Sequence, residues 1–121
     1  PDMDAEPAQY QLTWVPEGYQ EVFSDLADGE GAAVYSNIAG QYLQFSYVSD
    51  PNDSNLFIIT DSAIHYEVSV GEYRADYWES TDSEVSSCVV WTDENEHVFY
   101  VAGFFSEDEL IKIAKSVEII K

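Results

Sequence analysis

The sequence predicts an α+β domain: a predominantly antiparallel β-sheet with a C-terminal α-helix packed on one face. Short segments of alternating apolar and polar residues recur along most of the chain, with turn-forming residues between them. A capped amphipathic helix comes last, and its apolar stripe needs the sheet as a partner. The length of 121 residues suits one domain. We therefore expect residues 1–9 to form a linker and residues 10–121 a single α+β domain.

The first strands are predicted in the N-terminal part of the chain. An extended segment, Tyr10 to Val15, ends at the turn-forming tripeptide Pro16-Glu17-Gly18. The apolar residues from Tyr19 to Leu26 fit both helical and strand spacing, and we favour a strand. Two further strands, Ala33–Ile38 and Tyr42–Ser49, flank Ala39-Gly40 and are predicted to form a hairpin.

The same alternation continues in the second half of the chain. The hairpin expected there joins its last two strands through the acidic connection Asp93-Glu94-Asn95-Glu96. The predicted strands are Leu56–Ile59, Tyr66–Val70, Tyr73–Trp78, Val85–Thr92 and His97–Ala102.

A C-terminal helix is predicted from its start signal and its periodicity. Ser106 and Glu109 have the spacing of a capping box, in which each side chain bonds the backbone N–H of the other residue. The apolar stripe of this helix is predicted to comprise Leu110, Ile113, Ala114 and Val117.

The charge of the chain limits its partners. Twenty-four Asp and Glu face four Lys and Arg, a formal net charge of −20, and Arg74 is the only cation before residue 107. Such a surface repels nucleic acid and anionic lipid, whose binding relies on cations. Cationic partners and divalent metals remain possible, and we expect the charge mainly to keep the domain soluble and monomeric.

Covalent and membrane features are sparse in the sequence. Cys88 is the single cysteine, so no intrachain disulfide can form, and its apolar neighbours predict a buried, inert thiol. No apolar run is long enough to cross a bilayer, so we expect no membrane insertion by this segment.

Catalytic signatures are not found in the sequence. His65 and His97 have no motif around them and are expected to be surface or packed residues. The pair Gly29 and Gly31 lacks the further glycine and lysine of phosphate-binding loops. Three Cys and His residues spread along the chain do not make a zinc site. We therefore predict no catalytic residues, no metal ligands and no cofactor.

Three weaker possibilities concern acids and aromatic residues. The loop Asp50–Asn55 offers oxygen ligands for calcium, but it lacks the turn glycine and closing Glu of an EF-hand, so a polar loop is favoured. Among so many acids, a carboxylate pair suited to glycoside hydrolysis stays an open alternative. Trp14, Trp78 and Trp91 could form a sugar-binding face, although core positions are commoner for such residues.

Two parts of the chain resemble a known family. Val15-Pro16-Glu17-Gly18-Tyr19 near the start, and Val90–Asp93, Phe99–Gly103 and Ser106–Leu110 at the end, resemble domain-of-unknown-function family 4367. The resemblance implies a domain commonly placed outside the membrane in Gram-positive bacteria. It often follows a transmembrane segment, sometimes in proteins resembling anti-sigma factors. The resemblance implies no established activity and no site residues.

These observations together favour a non-enzymatic extracytoplasmic interaction or sensor domain. We expect it to be part of a larger envelope protein, secreted or membrane-anchored, and to recognise a protein or cell-envelope component. Two alternatives stay open at this point. One is an envelope glycan-acting enzyme that uses paired carboxylates, and the other is a carrier of an apolar ligand beneath the helix.

Overall fold

The computed structural model of the chain describes residues 9–27, 29–48, 63–81, 86–93 and 97–119. Strands and one helix account for most of these residues. Their bounds are β1 Tyr10–Leu12, β2 Gln20–Ala27, β3 Glu30–Ser36, β4 Tyr42–Val48, β5 Ala63–Val70, β6 Tyr73–Ser80, β7 Ser87–Thr92, β8 Val98–Gly103, α1 Glu107–Lys115 and β9 Val117–Ile119.

Seven of the strands form one antiparallel sheet in the order β2-β3-β4-β8-β7-β6-β5. Strand β8 pairs with β4 on one side and with β7 on the other, so the last long strand sits at the centre of the sheet. Strands β1 and β9 pair separately as a short antiparallel ribbon. The predicted fold class, a mainly antiparallel sheet with a C-terminal helix packed against it, is confirmed.

Alternation along the strands gives the sheet one strongly buried face, which we call the inner face. The side chains of this face pack with Leu110, Ile113 and Ala114 of α1 and with Tyr10 and Leu12 of β1. Its buried members are Ala33, Leu43, Phe45, Tyr47, Ala75, Tyr77, Val89, Trp91, Phe99 and Val101. The other residues of the same strands form the outer face.

Local turn chemistry explains the predicted hairpins. In the β3–β4 turn, Asn37 Oδ1 accepts the N–H groups of Ala39 at 3.0 Å and Gln41 at 2.9 Å. Gly40 has a φ of +84°, which side-chain-bearing residues rarely adopt. The β7–β8 hairpin is also confirmed by its pairing, from Ser87 opposite Gly103 to Thr92 opposite Val98.

The ambiguous segment after Gly18 is a strand, as favoured from its sequence. Strand β2 pairs with β3 along its whole length, with a register shift between Glu21 and Phe23 that leaves Val22 as a bulge. The bulge breaks the alternation, and it accounts for a spacing that also fitted a helix.

Helix α1 has the predicted capping box. Ser106 Oγ accepts the N–H of Glu109 at 3.3 Å, and the Ser106 N–H donates to Glu109 Oε1 at 3.3 Å. The prediction that Val117 belongs to the helical stripe was wrong, because α1 ends at Lys115. Ser116 caps the helix by donating its hydroxyl to Ile113 O at 2.7 Å, and Val117 then starts β9 opposite Leu12.

Other predictions fall partly or wholly outside the described residues. The predicted strand Leu56–Ile59, the loop Asp50–Asn55 and part of the acidic connection after Asp93 lie there. In the described part of the chain, no helix is long and apolar enough to cross a membrane.

Cys88 has the buried environment that its neighbours predicted, and its chemistry should be correspondingly slow. The residue is buried on the outer face, and burial raises the pKa of its thiol from the usual 9.0 to about 11. At pH 8 the fraction of thiolate, the reactive form, is about a hundredfold lower for a thiol with a pKa of about 11 than for one with a pKa of 9.0. We expect iodoacetamide to alkylate the native domain at least that much more slowly than the urea-unfolded chain. Equal alkylation rates in the native and the unfolded chain would show that the Cys88 thiol is not buried.

Candidate functional site

A cavity of about 230 Å³ lies where helix α1, the inner face and the β1–β9 ribbon meet. Four aromatic side chains and three aliphatic ones supply most of its wall. The described residues that line it are Tyr10, Val70, Gly71, Tyr73, Trp91, Asp93, Phe99, Ala114, Lys115 and Val117. A concave, mostly apolar cavity with a few polar groups is the usual form of a ligand-binding site.

The aromatic wall is held in place by ring packing. Trp91 and Phe99 are opposite each other on β7 and β8 and stack with ring centroids 5.3 Å apart. Tyr10 meets Phe99 edge to face at 4.9 Å, which fixes the β1–β9 ribbon against the sheet. These contacts give the cavity a preformed wall, which reduces the entropy lost when a ligand binds.

A polar cluster of Asp93, His97 and Tyr10 lies next to this wall. The Asp93 carboxylate accepts the His97 N–H at 2.9 Å and lies 3.1 Å from His97 Nδ1, and Tyr10 Oη lies 3.0 Å from the same nitrogen. A carboxylate only accepts, so Nδ1 must carry the proton. The His97 and Asp93 side chains are only 5% and 12% exposed, so the cluster is a buried structural joint between β1 and the β7–β8 hairpin.

Two side chains of opposite charge line the cavity. Asp93 is held by His97, whereas Lys115 is exposed at the end of α1 and forms no ion pair with any described residue. The lining offers aromatic surface, one carboxylate and one ammonium, and it includes no hydroxyl or thiol nucleophile of Ser, Thr or Cys among the described residues. Such a lining can bind and orient a small ligand.

The other histidine lies on a different part of the sheet. His65 Nε2 is 2.8 Å from Asp76 Oδ1 on the outer face, and the two side chains are 48% and 52% exposed. His65 also packs its ring near Trp78 at 5.0 Å. His65 is therefore a surface residue and His97 a packed one, the two roles expected from the sequence.

The three tryptophans do not form one face. Trp14 packs at the edge of the core with Lys112 Nζ 4.3 Å from its ring centroid. Trp91 lines the cavity, and Trp78 lies on the outer face beside His65. A sugar-binding surface made of all three side chains is not what the fold provides.

The sequence raised a cavity beneath the helix only as an alternative, and it predicted neither the residues that line the cavity nor the polar cluster. Tyr10 and His97 are 87 residues apart, and the long-range packing of β1 against the sheet, where Tyr10 contacts Tyr47 and Phe99, brings them together. One local signal was present: Asp93 and His97 flank a short hairpin connection four residues apart, which allows an acid and a histidine to bond across it.

Comparison with known proteins identifies the family of this chain. No curated protein matches it. The family model named Domain of unknown function (DUF4367) matches residues 9–117, which span β1 to the start of β9 and include every lining residue of the cavity. The resemblance at both ends of the sequence is thus confirmed over nearly the whole chain, and the protein belongs to this family.

Proposed function

We propose that the domain is a non-enzymatic interaction or sensor domain of an extracytoplasmic envelope protein, and that the cavity beneath α1 is its recognition site. The observation that carries the proposal is the preformed aromatic wall of Tyr10, Tyr73, Trp91 and Phe99 with one charge of each sign beside it. Such a wall stacks on planar or cyclic groups, and the exposed ammonium of Lys115 orients them.

The size of the cavity limits what it can take. At about 230 Å³ it is smaller than typical drug-sized sites of roughly 300–1,000 Å³. It fits one ring or one side chain of a larger component, such as an envelope glycan fragment or a peptide. The apolar-ligand carrier is the second candidate, because the same aromatic lining favours it, but only a small ligand would be enclosed.

The glycan-acting enzyme receives less support from this site. Glycoside hydrolysis commonly needs two carboxyl groups on either side of the scissile bond. Among the described residues that line the cavity, Asp93 alone carries a carboxylate, and its oxygens are engaged by His97. The geometry supports binding better than hydrolysis.

A thermal melt against calcium, cell-wall glycan fragments, lipids and cationic peptides tests the proposal. A ligand present at a hundred times its Kd should raise the Tm by roughly 10 °C, because it binds only the native state. Tyr73→Ala, which removes part of the cavity wall, should abolish that shift. Tyr66→Ala is the matched control, because Tyr66 is an exposed tyrosine of β5 outside the lining. If none of these compounds raised the Tm, or if both variants lost the Tm shift equally, the cavity would not be the recognition site.

The extracytoplasmic location has its own test. It is supported by the resemblance to a family commonly found outside the membrane, and the coding sequence upstream of residue 1 can be read directly. We expect a signal peptide or a transmembrane segment there. An upstream sequence with neither would overturn the location, and the cavity proposal would be unaffected.

A further inference from the structure

Strand β2 forms one edge of the seven-stranded sheet. It is eight residues long, and nearly all of it is exposed. Among the described residues β2 pairs with β3 alone, so the alternate N–H and C=O groups on its other side point away from the described sheet. A sheet edge of this length is a template for an additional strand.

The bulge leaves a regular stretch at the end of β2. From Phe23 to Ala27 each residue pairs in order with β3, without a further shift. Phe23 lies opposite Val34, and Asp25 lies opposite Ala32, so both side chains belong to the outer face. A strand added here would have one outer-face residue beside the ring of Phe23. Its next outer-face residue, two positions along, would lie beside the carboxylate of Asp25.

The outer face at this edge offers an accessible apolar side chain. Phe23 is 53% exposed and lies opposite the half-buried Val34 of β3. We call Phe23, Asp25 and Val34 the edge patch. The exposed ring of Phe23 gives an incoming segment apolar area to cover in addition to backbone hydrogen bonds.

Charge identifies the kind of segment that fits. Strands β2, β3, β4 and β8 contain no Lys or Arg, but they contain Glu21, Asp25 and Glu30. The opposite edge differs, because Glu67 of β5 pairs with Arg74 and His65 lies beside Asp76. No ion pair joins Asp25 or Glu21 to a described residue. The acids of the β2 edge are therefore available to a cationic partner.

We propose that the β2 edge and the edge patch dock an extended, basic segment of a protein partner, which adds to the sheet as a further strand. The segment carries an apolar or aromatic residue beside Phe23 and a Lys or Arg two positions away beside Asp25. This spacing follows from the two-residue period of a strand. A second copy of the domain fits poorly, since two β2 edges would bring their acids together on chains of net charge −20.

The test is a titration of the isotope-labelled domain with a designed peptide, followed by amide chemical shifts. Phe and Lys alternate at every second position of this peptide, with Thr between them. A control peptide of the same composition groups the Phe residues at one end and the Lys residues at the other. We expect the alternating peptide to shift the amides of residues 20–27 and to bind more tightly than the control. Equal binding of both peptides, or shifts centred on β5, would overturn the proposal.

Charge-reversal variants separate specific docking from general attraction to an acidic protein. Asp25→Lys should weaken binding about tenfold, because attraction to the peptide's lysine becomes repulsion. Glu72→Lys changes the net charge equally at the exposed β5–β6 turn and should weaken binding less than about twofold. Similar losses of affinity in both variants would show that peptide binding depends only on the net charge of the domain, and would contradict the β2 edge as the binding site. Tyr73→Ala should leave peptide binding unchanged, which keeps this proposal distinguishable from the cavity proposal.

Discussion

Replacing Ile113 with alanine is expected to lower the free energy of unfolding by about 2–5 kcal/mol. Ile113 is fully buried where α1 meets the sheet, and the truncation leaves a cavity that the surrounding core cannot fill. Domains of this size are commonly stable by only about 5–15 kcal/mol, so the variant should unfold at a much lower urea concentration. Equilibrium urea unfolding measures the change.

The same helix supplies a matched control. Ile111 is only partly buried, so Ile111→Ala makes the same chemical change, with the same change in helix propensity, away from the buried stripe. We expect it to cost about 1 kcal/mol or less. If the two variants lost equal stability, the docking of α1 through Leu110, Ile113 and Ala114 would be wrong.

Gly31→Ala should destabilise the domain by about 1–3 kcal/mol through overpacking. A Cβ on Gly31 would lie 2.7 Å from the ring atoms and hydroxyl of Tyr47. The Tyr47 ring cannot easily move away from this Cβ, because Tyr47 is fully buried and donates a hydrogen bond to Ala27 O at 2.6 Å. Without the clash, the change should stabilise the strand, since glycine loses the most conformational freedom on folding.

A double-mutant cycle gives this prediction a sharp test. In a Tyr47→Leu background the side chain no longer reaches Gly31, so Gly31→Ala should become neutral or stabilising. Urea unfolding of the four proteins yields the coupling between the two positions. Additive losses would show that the cost of Gly31→Ala does not arise from the Tyr47 ring.

The parts of the fold that the sequence predicted are those with a local signal. The alternation of Leu43, Phe45 and Tyr47 revealed one buried face, and the pairs Ser36–Tyr42 and Ser87–Gly103 confirm the hairpins it suggested. The capping box of α1 was also readable, because both of its hydrogen bonds lie within four residues. Period and capping are short-range properties, so one sequence suffices to recognise them.

The parts that were missed depend on long-range pairing. Strands β1 and β9 have three residues each, too few for a period, and their pairing joins opposite ends of the chain. Val117 fitted the helical stripe, yet Ser116 ends the helix by bonding Ile113 O and Trp14 O. The cavity needs that ribbon, because Tyr10 and Val117 form part of its wall. No local pattern in the sequence could have identified the residues that line the cavity.

The cavity and the edge patch would serve recognition in different ways. The cavity lies on the inner side of the sheet beside α1, and the edge patch lies on the outer face at β2. The first suits a single ring or side chain, and the second suits an extended segment.

Titration of the labelled domain with indole, followed by amide chemical shifts, shows whether the cavity beneath α1 binds an aromatic ligand. Indole is small enough for the cavity, and its flat ring should stack on the aromatic wall. We predict saturable shifts at Val70, Tyr73, Trp91 and Ala114, and their loss in Tyr73→Ala but not in Tyr66→Ala. Shifts that fail to saturate, or that centre on residues outside the lining, would contradict the cavity as a binding site.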